Sequence, residues 1–126
     1  MSTERNKQTV VAYLELALND KQPAQAAEAY LGSHYIQHNP QVADGADAFV
    51  EFVTGFTQQF PDLHLDIKRV IAEGDLVATH GLLTVAPADR GTAVTDIFRL
   101  EDGKIVEHWD VMQPVPEEAA NPNAMT

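Results

Sequence analysis

The chain has 126 residues, of which 44% are hydrophobic and 21% charged, so it is predicted to form one packed domain rather than a disordered segment. Its 19 acidic residues outnumber its 8 basic residues and give a formal net charge of −11, which argues against nucleic acid or an anionic membrane surface as a partner. Without cysteine the chain can form no disulfide, thiolate metal site or cysteine nucleophile. No apolar run approaches the roughly 20 residues of a membrane span. We therefore expect a soluble cytoplasmic protein.

Two helices and a short strand are predicted first along the chain. Apolar residues recur at helical spacing over residues 3–18, and Pro23 begins a second, alanine-rich helix that ends near Gly32. The segment SHYIQHNP then predicts a brief strand, which Asn39 and Pro40 close with a loop.

A third helix and a β-meander are predicted next. The segment DGADAFVEFVTGFTQQF has helical periodicity, with Asp44 or Asp47 as the N-cap, and Pro61 ends it. Four β-rich runs follow, separated by the turn signals EGD, APADRG and EDG. The proline-rich residues 114–126 show no periodicity, so we expect a domain over residues 1–113 and an extended or poorly ordered tail.

This order predicts an α+β fold in which three N-terminal helices cover one face of a curved antiparallel β-sheet. A curved sheet and the helices on it can enclose a pocket. The residues that face this pocket depend on the register of the last hairpin.

The segment LEDGK suits a three-residue loop over residues 101–103, with glycine in the left-handed position. That loop pairs Asp96 with His108 and places Asp110 on the same face, whereas Trp109 points to the other side. A two-residue loop would instead pair Asp96 with Trp109 and separate the three polar residues.

The shared face also carries Phe98 and Met112, so it is an apolar face with three titratable groups. Two carboxylates and an imidazole in an apolar cavity could hold or take a proton near neutral pH, which is the requirement for general acid–base catalysis. The alternative is that Asp96 and His108 form a weak cross-strand ion pair that faces water.

The run TDIFRLEDGKIVEHWDVMQPVP, together with YIQHNP, ADG and AANPN, resembles the SnoaL-like polyketide cyclase branch of the nuclear-transport-factor-2-like superfamily. Within that branch it closely resembles bacterial proteins predicted to catalyse aldol condensations. The resemblance implies a cone-shaped, cystatin-like roll, no metal and no cofactor, and a homodimer through the outer face of the sheet. In these cyclases an aspartate of the last strand is the general acid and base, which implies that role for Asp110, with His108 beside it.

The related ketosteroid isomerases carry an Asp-x-x-Arg motif whose aspartate hydrogen-bonds a substrate oxyanion, and the segment DIFR places Asp96 there. Tyr13, in YLEL, is similar to the position of their oxyanion tyrosine; the alternative is a packing role at the edge of the core. Those isomerases have an aspartate base before a proline, where this chain has Asn39. An amide cannot abstract a proton, so Asn39 is expected to orient a substrate oxygen or a water.

Two more polar positions were assigned by alternation. Alternation favours Gln37 over His38 beside Asn39 on the pocket side, and leaves a role at the pocket rim open for His38. His80 pairs with Asp96 or faces away, according to the length of the APADRG connection. The chain has five histidines, but they form no short metal-ligand pair, so no metal site is expected.

The predicted catalytic residues are therefore Asp110, His108 and Asp96. The predicted substrate-binding residues are Tyr13, Asn39, Gln37, His80, Phe98 and Met112.

The expected function is cofactor-independent acid–base catalysis of an aldol-type cyclisation, isomerisation or dehydration on a small apolar carbonyl substrate in an internal pocket. The alternative is a non-catalytic small-molecule-binding protein on the same fold. An epoxide hydrolase is the least favoured class, because Arg99 is predicted to face away from Asp96.

Overall fold

Three helices and five strands make up the computed structural model, which describes residues 2–126 and confirms the predicted α+β fold. The first helix, α1, continues into one π-helical turn over Glu15–Asn19. The elements in chain order are α1 (Thr3–Leu14), α2 (Pro23–Tyr30), β1 (Leu31–Gln37), α3 (Ala46–Gln59), β2 (His64–Glu73), β3 (Leu76–Thr84), β4 (Thr92–Glu101) and β5 (Lys104–Pro114).

The five strands form one sheet in the order β1-β5-β4-β3-β2. Strands β2 to β5 are the predicted antiparallel meander, and β1 adds to it as a parallel edge strand beside β5. The parallel register places Gln37 directly opposite His108. The end of a short N-terminal strand therefore reaches the middle of the last strand.

The helices pack on the inner face of the sheet and bury its apolar side chains. The largest fully buried residues come from α1, from the loop before β2 and from the sheet, namely Tyr13, Phe98, Leu63, Ile105, Val10 and Val77. The π-helical turn is tied to β2 by Asn19, whose amide donates to the Leu65 carbonyl (2.9 Å) and accepts from its N–H (2.7 Å). This side-chain clamp gives both backbone groups of Leu65 a partner and so ties the end of the helix to the sheet.

Two predicted helix ends were wrong. The second helix ends at Tyr30, and Leu31 already has extended backbone and begins β1. The N-cap of α3 is Gly45 (φ 98°), rather than Asp44 or Asp47, and no side chain caps the helix. Asp44 is otherwise engaged, because its carboxylate accepts the N–H of Gln37 (2.8 Å) and thereby holds the loop after β1.

The β4–β5 hairpin turns differently from the prediction. Its loop has two residues, Asp102 and Gly103, both with positive φ (50° and 77°), as in a type I′ turn. The predicted three-residue loop was therefore wrong. The pairing then shifts between Leu100, opposite Ile105, and Arg99, opposite Glu107, so Val106 is an extra residue in β5, a β-bulge.

The bulge restores the face that the loop alone would have inverted. Asp96 lies opposite Asp110, and Phe98 lies opposite His108. The observed register therefore differs by two residues from the predicted pairing of Asp96 with His108. Because side chains alternate with a period of two residues, Asp96, Phe98, His108 and Asp110 all still lie on the inner face.

The outer face of the sheet carries Trp109, Ile97 and Val111, of which Val111 is 70% exposed. The homodimer expected through this face stays a prediction. Residues 115–126 form neither helix nor strand, and Val115 donates its N–H to the Gly91 carbonyl (2.9 Å). None of the helices within residues 2–126 combines the length and the apolar character needed to cross a membrane.

Candidate active site

A cavity of about 400 Å³ lies between the inner face of the sheet and the helices. Its volume is in the range of small-molecule sites, and most of its lining is aliphatic or aromatic. The polar side chains of the lining are Tyr13, Tyr35, Gln37, Asn39, Gln41, Asp96, His108 and Asp110.

Asp96 and His108 form a short, buried polar contact in the wall of this cavity. The His108 Nε2 atom lies 2.7 Å from Asp96 Oδ1, and each residue is 8% exposed. Asp110 Oδ2 is 3.8 Å from the same Nε2 atom, and its side chain is 10% exposed. The three residues therefore form one cluster, and the water-facing ion pair considered as an alternative does not describe it.

Gln37 determines which nitrogen of His108 carries a hydrogen. The Gln37 Oε1 atom accepts the backbone N–H of Asn39 (3.2 Å), which orients the amide with its oxygen toward the ring. His108 Nδ1 lies 2.6 Å from that oxygen and must donate to it, so Nδ1 is protonated. Gln37, predicted to bind substrate, thus lines the cavity and also positions the His108 ring.

One proton is then shared between Asp96 and His108. With Nδ1 protonated, the short contact from Nε2 to Asp96 holds a single hydrogen, either on the ring as an imidazolium or on the carboxyl group. Both forms give the pair a net charge of zero. A proton that can lie on either atom of a buried contact is well placed for transfer.

Asn39 holds Asp110. The Asn39 Nδ2 atom lies 2.9 Å from Asp110 Oδ2 and 3.2 Å from Oδ1, and the Asn39 Oδ1 atom accepts the N–H of Gln41 (2.9 Å), which fixes the amide orientation. Asn39 lines the cavity as predicted, but its amide donors are directed at Asp110. Both Asp110 oxygens therefore lie within hydrogen-bond distance of one amide nitrogen.

Two buried tyrosines lie beside the cluster. The Tyr13 hydroxyl donates to the Tyr35 hydroxyl (3.3 Å), and the Tyr35 ring stacks at 6.5 Å from the His108 ring. Burial raises the pKa of both tyrosines well above the usual value, and the negative charge of Asp96 raises both further. The two phenols therefore stay protonated donors at neutral pH.

Tyr35 was missed from the sequence, although a signal for it existed. It stands two residues before Gln37, so the alternation that places Gln37 inside also places Tyr35 inside. Its ring also packs edge-on against Phe49, at 6.0 Å.

The remaining predicted residues differ in outcome. Phe98 lies under the His108 ring, with centroids 4.8 Å apart, and Met112 lines the cavity while 52% exposed. His80 was wrongly placed at the site: it pairs with Thr95 on the outer face and contacts Arg69 of β2. The position opposite Asp96 belongs to Thr79, because the connection after β3 shifts the register by one residue from the predicted option.

His38 lies outside, as alternation predicted. Its ring stacks on Trp109 at 4.8 Å, with an angle of 2° between the planes, and its Nε2 atom is 2.7 Å from Glu107. Arg99 donates to the same Glu107 (2.7 Å). These residues form a polar network on the far side of β5, separate from the cavity.

Asp96, His108 and Asp110 are also the one group within residues 2–126 whose ligand atoms lie close enough to surround a metal ion, all within 4.8 Å of one another. Both nitrogens of His108 already contact oxygen atoms, and the 2.7 Å contact to Asp96 is that of a hydrogen bond. A metal would have to displace the shared proton. The donor set is therefore better matched to proton transfer than to metal binding.

The sequence profile of the SnoaL-like domain matches residues 10–108, which is more than half of the chain. No protein of curated function matches the sequence.

Several solved structures resemble the fold. TsrD from Streptomyces laurentii is 23% identical with a TM-score of 0.75 over 89% of this chain and 90% of that one. A provisionally assigned polyketide cyclase from Acidithiobacillus ferrooxidans is 18% identical (TM-score 0.73; 89% and 91%), and a provisionally assigned ketosteroid isomerase from Kribbella flavida is 23% identical (TM-score 0.72; 97% and 85%). At these identities the likeness shows the fold.

The role assigned to Gln37 can be tested by ¹⁵N NMR of the histidine rings, with the His108 signals identified by their loss in His108→Asn. Wild type should show a protonated Nδ1, because Gln37 presents only an acceptor to it. Gln37→Leu should shift His108 toward the form with a bare Nδ1. Gln41→Leu is the matched control, since only the backbone of Gln41 joins the network, and should leave His108 unchanged. A bare Nδ1 in wild type would contradict the assignment.

The buried tyrosines predict how stability responds to alkaline pH. Above pH of about 10 an unfolded tyrosine loses its proton, whereas Tyr35 keeps it because its pKa is raised in the fold. The unfolded state then binds fewer protons, so the free energy of unfolding falls by about 1.4 kcal/mol per pH unit for each such tyrosine. Tyr35→Phe removes one of these contributions.

Urea unfolding of wild type and Tyr35→Phe should therefore give curves of free energy against pH that converge between about pH 10 and 12. Groups other than tyrosine titrate equally in both proteins and cancel in the difference. Parallel curves over this interval would contradict the raised pKa.

Proposed function

This chain belongs to the SnoaL-like domain family, and we propose that it is a cofactor-independent acid–base catalyst acting on a small apolar carbonyl compound held in the cavity. The reaction classes are aldol-type cyclisation, isomerisation and dehydration. Each can begin by removal of a proton from the carbon next to a carbonyl group. The observation that carries the proposal is the buried cluster of Asp96, His108 and Asp110 in the wall of an apolar cavity.

Asp110 is the base in this proposal. Its two oxygens accept from Asn39, which supports the ionised form, and the side chain lines the cavity. The Asp110 carboxylate takes the proton from the α-carbon, and the electron pair of the broken C–H bond moves onto the carbonyl oxygen as an enolate. The same carboxyl group can then return the proton to carbon or to a leaving hydroxyl.

The enolate oxygen needs a hydrogen-bond donor. The Tyr13 hydroxyl uses its hydrogen to donate to the Tyr35 hydroxyl (3.3 Å). The hydrogen of the Tyr35 hydroxyl is then left for a ligand. Their raised pKa values keep both phenols neutral, so they donate without becoming charged themselves. The tyrosine pair therefore replaces Asn39 as the expected oxyanion partner, because Asn39 is directed at Asp110.

Asp96 and His108 position the base and adjust its charge. His108 Nε2 faces both carboxylates, at 2.7 Å from Asp96 and 3.8 Å from Asp110. A shift of the shared proton toward His108 places a positive charge beside Asp110, and a shift toward Asp96 removes it. When Asp110 gains or loses its proton, the shared proton can move between His108 and Asp96 and so offset the change in charge.

A non-catalytic binder is the second candidate. The observation that favours it is the saturation of the cluster, because His108 has an oxygen partner at each ring nitrogen and Asp110 already accepts the Asn39 amide. A fully satisfied network rigidifies a cavity and can serve binding alone. Proton exchange on a bound ketone separates the two candidates.

2-Tetralone, a flat ketone with acidic α-protons, is a suitable probe in deuterated buffer. Wild type should accelerate replacement of its α-protons by deuterium, and Asp110→Asn should lower that rate by about 10²-fold or more while retaining binding, since an amide has the same shape but cannot abstract a proton. Exchange is followed by proton NMR, and binding by calorimetry.

Asp102→Asn, at the exposed tip of the β4–β5 hairpin, is the control, because it removes the same charge away from the cavity and asparagine tolerates the positive φ there. It should exchange the probe as fast as wild type. If wild type binds the ketone but exchanges its α-protons no faster than Asp110→Asn does, the protein is better described as a non-catalytic binder.

A further inference from the structure

His108 is the one basic side chain in the cavity wall that residues 2–126 form. None of the cavity's lining residues is lysine or arginine. Three basic side chains of the flanking elements are engaged elsewhere: Arg99 binds Glu101 and Glu107 on the outer face, Lys21 donates to the Leu63 carbonyl, and Lys104 donates to the Ala29 carbonyl. A ligand that carries a carboxylate or phosphate would therefore find no lysine or arginine partner inside, and the one imidazole there already faces Asp96 and Asp110.

The cavity carries a net charge of about −1. The Asp96–His108 pair is neutral wherever its shared proton lies, whereas Asp110 accepts the neutral amide of Asn39 and lies 3.8 Å from the His108 ring of that neutral pair. The Asp110 side chain is 10% exposed, so water screens its charge poorly. An anionic ligand would have to lose its hydration and lie beside this charge.

Aromatic rings provide much of the remaining wall. Tyr13 stacks on Phe49 at 5.2 Å and meets Phe98 edge-on at 5.8 Å, and Phe52 and Phe56 also line the cavity. Such walls accept flat apolar molecules, and the faces of aromatic rings attract cations. The wall and the charge therefore favour the same ligands.

We propose that this site selects its ligand by charge: it takes uncharged or amine-bearing aromatic carbonyl compounds and rejects carboxylates, phosphates and acyl thioesters of phosphate-containing carriers. The selection narrows the substrate class of the proposed function and rests on the same site. Asp110 is the specificity-determining residue as well as the base. The reaction that supplies the substrate must accordingly release it as a free neutral ketone or an amine.

Three ligands with the same fused ring system test the selection, namely 2-acetylnaphthalene, 2-naphthoate and protonated 1-(2-naphthyl)ethylamine. Their dissociation constants are measured by calorimetry at pH 7 and low salt, where electrostatic differences are largest. The carboxylate should bind at least about tenfold more weakly than the ketone, and the amine at least as tightly as the ketone.

Asp110→Asn should bring the affinities for the carboxylate and the ketone to within about threefold of each other and weaken the amine, because it removes the charge and keeps the shape. Asp102→Asn changes the net charge of the protein equally and should leave all three affinities as in wild type. Equal effects of the two variants would overturn the proposal, since they would show a response to net charge alone.

Binding of 2-naphthoate as tightly as 2-acetylnaphthalene to wild type would also overturn it, and so would the failure of all three compounds to bind. These measurements involve no turnover. A protein that discriminates among the three ligands but does not exchange α-protons would retain the charge selection and lose the proposed catalysis. A protein that exchanges α-protons but binds the three ligands equally would retain the proposed catalysis and lose the charge selection.

Discussion

One extra residue in the last strand, Val106, determines where the chemistry lies. The two-residue turn at Asp102 and Gly103 alone would place Trp109 on the inner face and turn His108 outward. The bulge shifts the register by one residue and so returns His108 to the inner face and Trp109 to the outer face. Its cost is a local break in the hydrogen-bond ladder, and the burial of both Ile105 and Val106, at 0% and 2% exposure, compensates for it. The placement of the buried polar cluster therefore depends on the packing of two apolar side chains that do not line the cavity.

The second constraint is the parallel pairing of β1 with β5. It brings Gln37 against His108 and the following Asn39 against Asp110, so a short edge strand supplies a partner for each of two residues of the last strand. The loop after β1 is in turn held by Asp44. Because each of these partners is fixed by a further hydrogen bond, the cluster is organised before any ligand arrives, which is what transition-state stabilisation by fixed dipoles requires.

The sequence predicted the layers of the fold and the inner face of β5, but for partly wrong reasons. A three-residue loop and a two-residue loop with a bulge give the same face, since the two registers differ by two residues, which is one full side-chain period. Local alternation placed Gln37 correctly and could also have placed Tyr35. His80 could not be placed, because its face depends on the long connection over residues 85–91, whose geometry side-chain periodicity does not encode. The N-cap of α3 was predicted wrongly because the Asp44 carboxylate accepts the N–H of Gln37 and holds the loop, instead of capping the helix.

These constraints lead to one claim about protons: the cluster holds a single shared hydrogen between Asp96 and His108, and Asp110 faces the cavity ionised. Neutron diffraction from a deuterated crystal locates these hydrogens directly. We expect deuterium on His108 Nδ1 and one more between Nε2 and Asp96 Oδ1, with none on Asp110. Deuterium on an Asp110 oxygen, or a bare Nδ1, would contradict the account.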